Sequence, residues 1–338
     1  MKKVICFGEL LLRLSPRLNG AWIAEHQMPV YIGGAELNVA RALARWGLPV
    51  GYCTALPAHG LADEVISFVR EQGIDVSAIR RSGERIGTYY LPQGADMKAA
   101  GVIYDRAYSS FWNLAPGEIN WDEVFADVHW FHFSAISPAL NAQAATVCLE
   151  AAMAASRRGI TVSVDLNYRA KLWQYGKQPI DVMPELVQHC DVVMGNIWAE
   201  QQMLGIPVPA SLVDAKEACL EQSWQSSGEI LRRYPRCRQV ANTFRFDAGE
   251  GGIRYYATLY DGNASYVSPE QQAATIVDKV GSGDTFMAGL IYGNCQNWWP
   301  QEVIDFAAAA AFNKLFIYGD ATTSSVEEIT KAHNNYVY

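Results

Sequence analysis

The sequence predicts an α/β protein, a three-layer sandwich with a mainly parallel central sheet and a small β lid. Three observations lead there. Short apolar runs alternate along most of the chain with longer segments of helical period. Most of those runs are apolar at every position, as strands buried on both faces must be. Two stretches, about 10–32 and 87–112, break the alternation; they are rich in Tyr, Leu, Val and Thr and have no helical period. All 338 residues read as one domain, with those two stretches joining to form the lid.

The elements follow in order. Residues 4–7 form a buried strand ended by Gly8. Residues 36–46 form a helix with Leu37, Ala40, Leu43 and Ala44 on one face, stopped by Gly47. A strand at 50–55 and a helix at 62–72, stopped by Gly73, come next. Then come a strand at 130–134, a helix at 142–158 and strands at 161–165 and 191–195. A short helix at 199–204 and a strand at 240–244 follow, then helices at 284–292 and 300–317. Residues 207–228 read as a surface loop and helix, and 249–252 as a hairpin turn before a strand at 253–259.

Composition narrows the function. Half the residues are hydrophobic and 18% are charged, enough for a large core. The net charge of −8 and the lack of a basic run exclude non-specific nucleic-acid binding, so an anionic ligand needs a locally basic pocket. The seven cysteines are scattered without a C-x-x-C pair, as expected of buried thiols in a reduced, cytoplasmic protein. The apolar start is broken by Glu9 and Arg13, which suits a first strand better than a leader. No run approaches the ~20 apolar residues of a membrane span.

The chemistry concentrates in Asp278-Lys279-Val280-Gly281-Ser282-Gly283-Asp284-Thr285-Phe286. Glycines there allow a tight turn whose N–H groups point at an anion, and the helix behind adds the positive end of its dipole. Asp284 beside such a nest is placed to handle a proton, and the pair suits phosphoryl transfer to a hydroxyl. A glycine turn with Asp284 as a helix cap is the plainer alternative. Upstream, Gly33-Gly34-Ala35-Glu36-Leu37-Asn38 brings a helix start close to a ligand, with Asn38 serving either a sugar hydroxyl pair or a neighbouring backbone group. Asp165-Leu166-Asn167-Tyr168-Arg169 follows an inner strand, where ligands of open α/β sheets bind. Arg169 and the lid residue Arg106, beside Tyr104, are each either a carboxylate clamp or a surface salt bridge.

With Gly8-Glu9 at the end of the first strand, these motifs make the chain resemble the ribokinase-like, or PfkB, family of sugar kinases over almost its whole length. Within it, the resemblance is greatest to kinases acting on 2-keto-3-deoxygluconate. The resemblance implies a ribokinase-like sandwich, ATP with Mg²⁺, and phosphorylation of a primary hydroxyl of a sugar acid. It implies Asp284 as base and Gly281, Ser282 and Gly283 as the anion hole. It implies Gly33, Gly34, Asn38, Tyr89, Tyr104, Arg106, Asn167, Arg169 and Asp320 as substrate contacts. Tyr89 and Tyr90 alternate faces of a strand, so only one can point inward. Asp320 also fits as a plain loop carboxylate after Gly319. Asn196, Thr243 and Arg245 fall on the nucleotide side, with Gly281 and Gly283 again.

Two departures from the family pattern stand out. In the Asn-x-x-Glu turn the glutamate position holds Ala199; Glu200, one residue late, is left to act on a metal only through water. Where the family has Thr-x-Gly-x-x-Gly, Thr243 is followed by Phe244 and Arg245, whose bulk would restrict backbone approach to phosphates. A monovalent-cation requirement stays open. A ketose kinase of fructokinase type and a non-catalytic sugar-acid binder are the alternatives. An apolar outer face on the lid would favour a homodimer.

Overall fold

A computed structural model describes residues 2–18, 20–93, 101–210, 212, 215–248 and 252–336. The chain opens with β1 (Lys3–Phe7), β2 (Leu11–Leu14) and β3 (Val30–Gly33), then α1 (Ala35–Arg45), β4 (Val50–Leu56), α2 (Gly60–Glu71) and β5 (Ile79–Arg81). Next come β6 (Gly87–Tyr90), β7 (Ile103–Asp105), the single turn α3 (Trp121–Val124), β8 (Val128–Ser134), α4 (Ala142–Arg157), β9 (Thr161–Asp165) and α5 (Pro179–Val187). The remainder is β10 (Val192–Gly195), α6 (Ile197–Leu204), α7 (Lys216–Arg233), β11 (Gln239–Asp247), β12 (Ile253–Tyr260), β13 (Ser265–Val267), β14 (Gln271–Ala273), α8 (Ser282–Cys295), α9 (Pro300–Lys314) and α10 (Val326–Tyr336).

The main sheet runs β13-β12-β11-β10-β9-β8-β1-β4-β5, with β14 also on β12. It is parallel from β11 to β5 and antiparallel at the β12 end. Strands β1 and β4 are buried nearly throughout, which explains their unbroken apolar runs. One apolar layer gathers Leu37, Leu43, Phe286, Leu290, Ile304 and Phe312 of α1, α8 and α9. The other gathers Phe7, Phe131, Val147, Val162 and Leu186. The cysteines are all free, and six are buried as apolar residues.

The expected elements stand with shifted ends. Four helices begin earlier than periodicity suggests, among them α2, at Gly60. Asn196 caps α6 by accepting from Ala199 N (2.9 Å), so that helix starts at Ile197. Helix α8 starts at Ser282, just after Gly281 in the left-handed region, and α1 at Ala35. Strand β11 runs on to Asp247, because β12 pairs with it residue for residue. In 207–228 the expected helix is the first part of α7. Part of the hairpin at 249–252 lies outside the described residues.

The lid is a four-stranded sheet, β3-β2-β6-β7, built from both expected segments. They meet through the parallel pair β2–β6, which no local pattern announces. Residues 94–100 of the second segment lie outside the described residues. Arg13, Tyr31, Tyr89 and Tyr104 stand in register on one face. Leu14, Val30, Tyr90 and Ile103 form the next row and face the other way.

Candidate active site

A cavity of ≈ 750 Å³ opens between the lid and the carboxyl ends of β1, β9 and β10. Its floor is the start of α8. Gly281 there has φ 77°, and a Cβ on it would overlap the Asp320 carbonyl oxygen, so this position excludes every side chain. No side chain caps the helix. The first turn closes with Thr285 N on Gly281 O (2.8 Å), which leaves the N–H groups of Ser282, Gly283 and Asp284 without a helical acceptor. Added to the dipole, those donors make an anion site. A Cβ at Gly283 would meet nothing within 4 Å, so this glycine leaves room where an anion would lie.

Asp284 sits on that first turn. Its Oδ2 accepts from Asn38 Nδ2 on α1 (2.7 Å). Burial pushes its pKa up to about 7; the Asn38 bond and Arg169 oppose the rise, while Glu36 and Asp320 support it. A buried carboxylate near neutrality, beside unspent N–H donors, can take a proton from a hydroxyl while charge builds on a neighbouring phosphoryl group.

Around it the structure sorts the expected substrate contacts. Gly34, Asn38, Tyr89, Tyr104, Arg106, Asn167 and Arg169 all line the cavity. Tyr89 is the inward member of its pair, and Tyr90 stacks on Trp22 at 6.5 Å. Arg169 Nη1 donates to the Tyr168 carbonyl (3.0 Å), and its Nε is buried without an acceptor. Arg106 is not a free clamp, because its Nε donates to buried Glu9 (2.6 Å), which Ser109 also engages.

Asp320, expected at the substrate, does not line the cavity. It lies behind the wall, with Oδ1 paired to Arg13 of β2 (2.9 Å) and Oδ2 accepting from Tyr89 OH (3.1 Å). Gly33 stands against the same carboxylate, which a Cβ would overlap. Gly33 and Asp320 therefore join lid to body and do not line the cavity. Sequence reasoning missed Arg13, whose signal was a charge inside an otherwise apolar strand. It also passed over Glu36 as a polar anchor; its buried Oε1 accepts from Ser134 N (3.0 Å), Ser134 Oγ (2.7 Å) and Ser137 Oγ (3.2 Å).

On the far side Asn196, Thr243, Arg245 and Lys279 line the cavity, with Trp198 and Ala199 of α6. Thr243 Oγ1 donates to Gly195 O (3.4 Å). Phe244 does not crowd the site. Strand alternation turns it the other way, fully buried and stacked on Tyr256 at 4.9 Å. Glu200 is also misplaced for a metal. It is fully buried off the cavity, its Oε1 accepts from Asn242 (2.5 Å), and burial raises it to about 7. Among the described residues no group of three His, Cys, Asp or Glu side chains is placed to hold a metal.

Comparison with known proteins agrees with this geometry. The family model described as pfkB family carbohydrate kinase matches residues 1–315. A 2-dehydro-3-deoxygalactonokinase of Haloferax volcanii is 27% identical over 97% of this chain and 96% of its own. The crystal structure of 2-dehydro-3-deoxygluconokinase from Thermotoga maritima superposes with TM-score 0.89 at 34% identity, covering 99% of this chain and 100% of that one. A PfkB family carbohydrate kinase from Listeria grayi gives TM-score 0.86 at 27% identity, covering 98% of this chain and all of the other. The family model and the similarity reach one conclusion: the chain belongs to the pfkB family of carbohydrate kinases.

Proposed function

We propose that this enzyme transfers the γ-phosphoryl group of ATP to a primary hydroxyl of a sugar acid, with 2-keto-3-deoxygluconate as the leading substrate. The observation that carries the reading is Asp284, near neutrality and bonded to Asn38 on the first turn of α8. Asp284 receives the hydroxyl proton as the oxygen attacks. Asn38 fixes which carboxylate oxygen faces the acceptor, since its Nδ2 holds Oδ2. The N–H groups of Ser282 and Gly283 stabilise the charge on the transferring group. Tyr89 and Tyr104 of the lid exclude water that would otherwise compete as acceptor.

The donor-side residues suit a nucleotide triphosphate. Lys279, Arg245, Ser282 and Gly283 would hold its phosphates. Mg²⁺ would neutralise phosphate charge and be held by phosphate and water oxygens, since no carboxylate cage is present among the described residues.

Two kinds of support favour a sugar acid over a neutral ketose. Relatives named as deoxy-sugar-acid kinases match the chain from end to end. Arg169 lines the cavity with no carboxylate paired to it among the described residues, leaving its fork for a ligand. Arg169→Ala is expected to lower kcat/KM for 2-keto-3-deoxygluconate by about 10- to 100-fold, the equivalent of ~1.5–3 kcal/mol for a charged hydrogen bond. A neutral ketose, turned over more slowly at the outset, is expected to change little. Coupled ADP release on both substrates checks this; an equal loss on both removes the carboxylate clamp.

The lid supports association of two copies. Val30 and Ile103, at 56% and 51% exposure, end the row that Leu14 and Tyr90 complete on its outer face. A second lid laid across that row would cover it. Sedimentation is expected to give a dimer, and Ile103→Lys a monomer. A wild-type monomer at micromolar concentration removes the proposal.

A further inference from the structure

Lys314 is fully buried at the end of α9, an unusual place for an ammonium group. Its Nζ donates to the Ile317 carbonyl (2.9 Å), one bond for a group with three donors. Burial lowers its pKa; Asp278 foremost, then Asp320 and Asp284, favour the charged form, and Arg13 opposes it.

The surroundings tell what such a cation does. The segment before α8 and the loop after α9 are joined at several points. Val277 N and Asp278 N donate to Leu315 O (2.8 and 3.1 Å). Asp278 accepts from Val280 N (2.9 Å) and from Gly319 N (3.3 Å). Ser282 Oγ donates to Ala311 O (2.9 Å). Gly281 lies against the Asp320 carbonyl. These two segments are the walls of the anion site. They bring together three carboxylates, of Asp278, Asp284 and Asp320; Arg13 stands 3.6 Å from Asp278 and 2.9 Å from Asp320, Arg41 also acts on Asp320, and Arg169 and Glu36 act with opposite sign on Asp284. Lys314 adds a cation from the end of α9, inside the joint that lies beneath a turn whose N–H groups must receive a phosphoryl group.

We propose that Lys314 is a positioning residue for that turn: a cation built into the chain, balancing Asp278 and Asp320 and holding 277–281 against 315–320, so that the kinase needs no free monovalent ion there. The proposal rests on the phosphotransfer reading and extends it to a residue that touches neither sugar nor nucleotide.

The experiment has three parts. Wild-type enzyme is assayed in potassium, sodium and tetramethylammonium chloride at fixed ionic strength. Equal kcat is expected, and a requirement for potassium or sodium overturns the proposal. Lys314→Met keeps the hydrocarbon stem and deletes the charge. It is expected to lower kcat by about 10- to 100-fold, as loss of a group supporting a catalytic site typically does, with KM for the sugar nearly unchanged. The acid limb of kcat should move to higher pH, because Asp284 loses a neighbouring cation. Ammonium or potassium should restore part of the rate. A wild-type rate, or a reduced rate with an unmoved acid limb and no cation rescue, overturns the proposal. Should Lys314→Met not fold, the wild-type ion series decides alone. A third readout separates this inference from the substrate assignment. ATP is expected to raise the Tm of wild type without added potassium, and that of Lys314→Met only with ammonium or potassium present. This holds even if the wild type phosphorylates none of the sugar acids tried. ATP stabilisation of wild type that requires potassium overturns the proposal.

Discussion

Asp284→Asn is expected to leave sugar and nucleotide KM near wild type and to lower kcat by about 10²- to 10⁴-fold, the span of a general base. The substitution keeps the shape and lets the amide oxygen accept the Asn38 bond, so the loss is of proton acceptance and not of packing. Wild-type kcat should rise with pH through an apparent pKa near 7, because burial holds the Asp284 proton until then. The variant's residual rate should lack that limb. Stability should move the opposite way. An unfolded Asp ionises near 3.8, whereas the folded carboxyl keeps its proton to about 7. Between those values the native state binds the extra proton, so this group's contribution falls as pH rises and its penalty is complete above 7. At about 1.4 kcal/mol per pH unit, the penalty is at most ~4 kcal/mol. Asp284→Asn is therefore expected to melt higher than wild type at pH 8, the gap closing towards pH 4. Steady-state kinetics and Tm against pH check both arms. Unchanged turnover would remove Asp284 as the base.

Gly281→Ala should do as much harm by a different route. A left-handed backbone costs a non-glycine residue about 1–2 kcal/mol. The larger effect is steric, because the new methyl would overlap the Asp320 carbonyl and the two segments must part. Separation tilts the α8 N–H groups away from the phosphoryl group, and losing one such donor typically lowers kcat by about 10²- to 10³-fold. A lower Tm is expected as well, since Asp320 anchors Arg13 and Tyr89 of the lid. Gly283→Ala, two residues on, is the control. Its methyl meets no protein atom, so Tm should hold while nucleotide KM rises. Equal behaviour of the two variants would show that the turn is not shaped by Asp320.

Much of this was legible in one dimension. Alternation of apolar strands with amphipathic helices is a local property, so the sandwich and the positions of β1, β4, β8, β9 and α4 could be read off closely. So could the strand-end location of Asn167 and Arg169. Element ends were less legible. Helix α6 starts at a side-chain cap, and β11 is lengthened by its partner strand. Phe244 and Glu200 illustrate a further limit. Bulk at the two positions after Thr243 suggested a restricted nucleotide site; alternation along β11 buries Phe244, while Arg245, where family members carry glycine, does line the cavity. Glu200 turns away on α6 and leaves Ala199 at the wall.

By itself, then, the sequence determined the α/β class, the glycine-lined turn and the carboxylate that follows it, because each depends on neighbours a few residues apart. Only the tertiary structure decided which charges meet. Arg13 finds Asp320 and Arg106 finds Glu9, across separations of 307 and 97 residues read from their numbers, and the charge of Asp278 acts on Lys314. Buried charges act over several ångströms at low dielectric, so their roles follow from distance in space, which the chain sets only once its sheets and lid have closed.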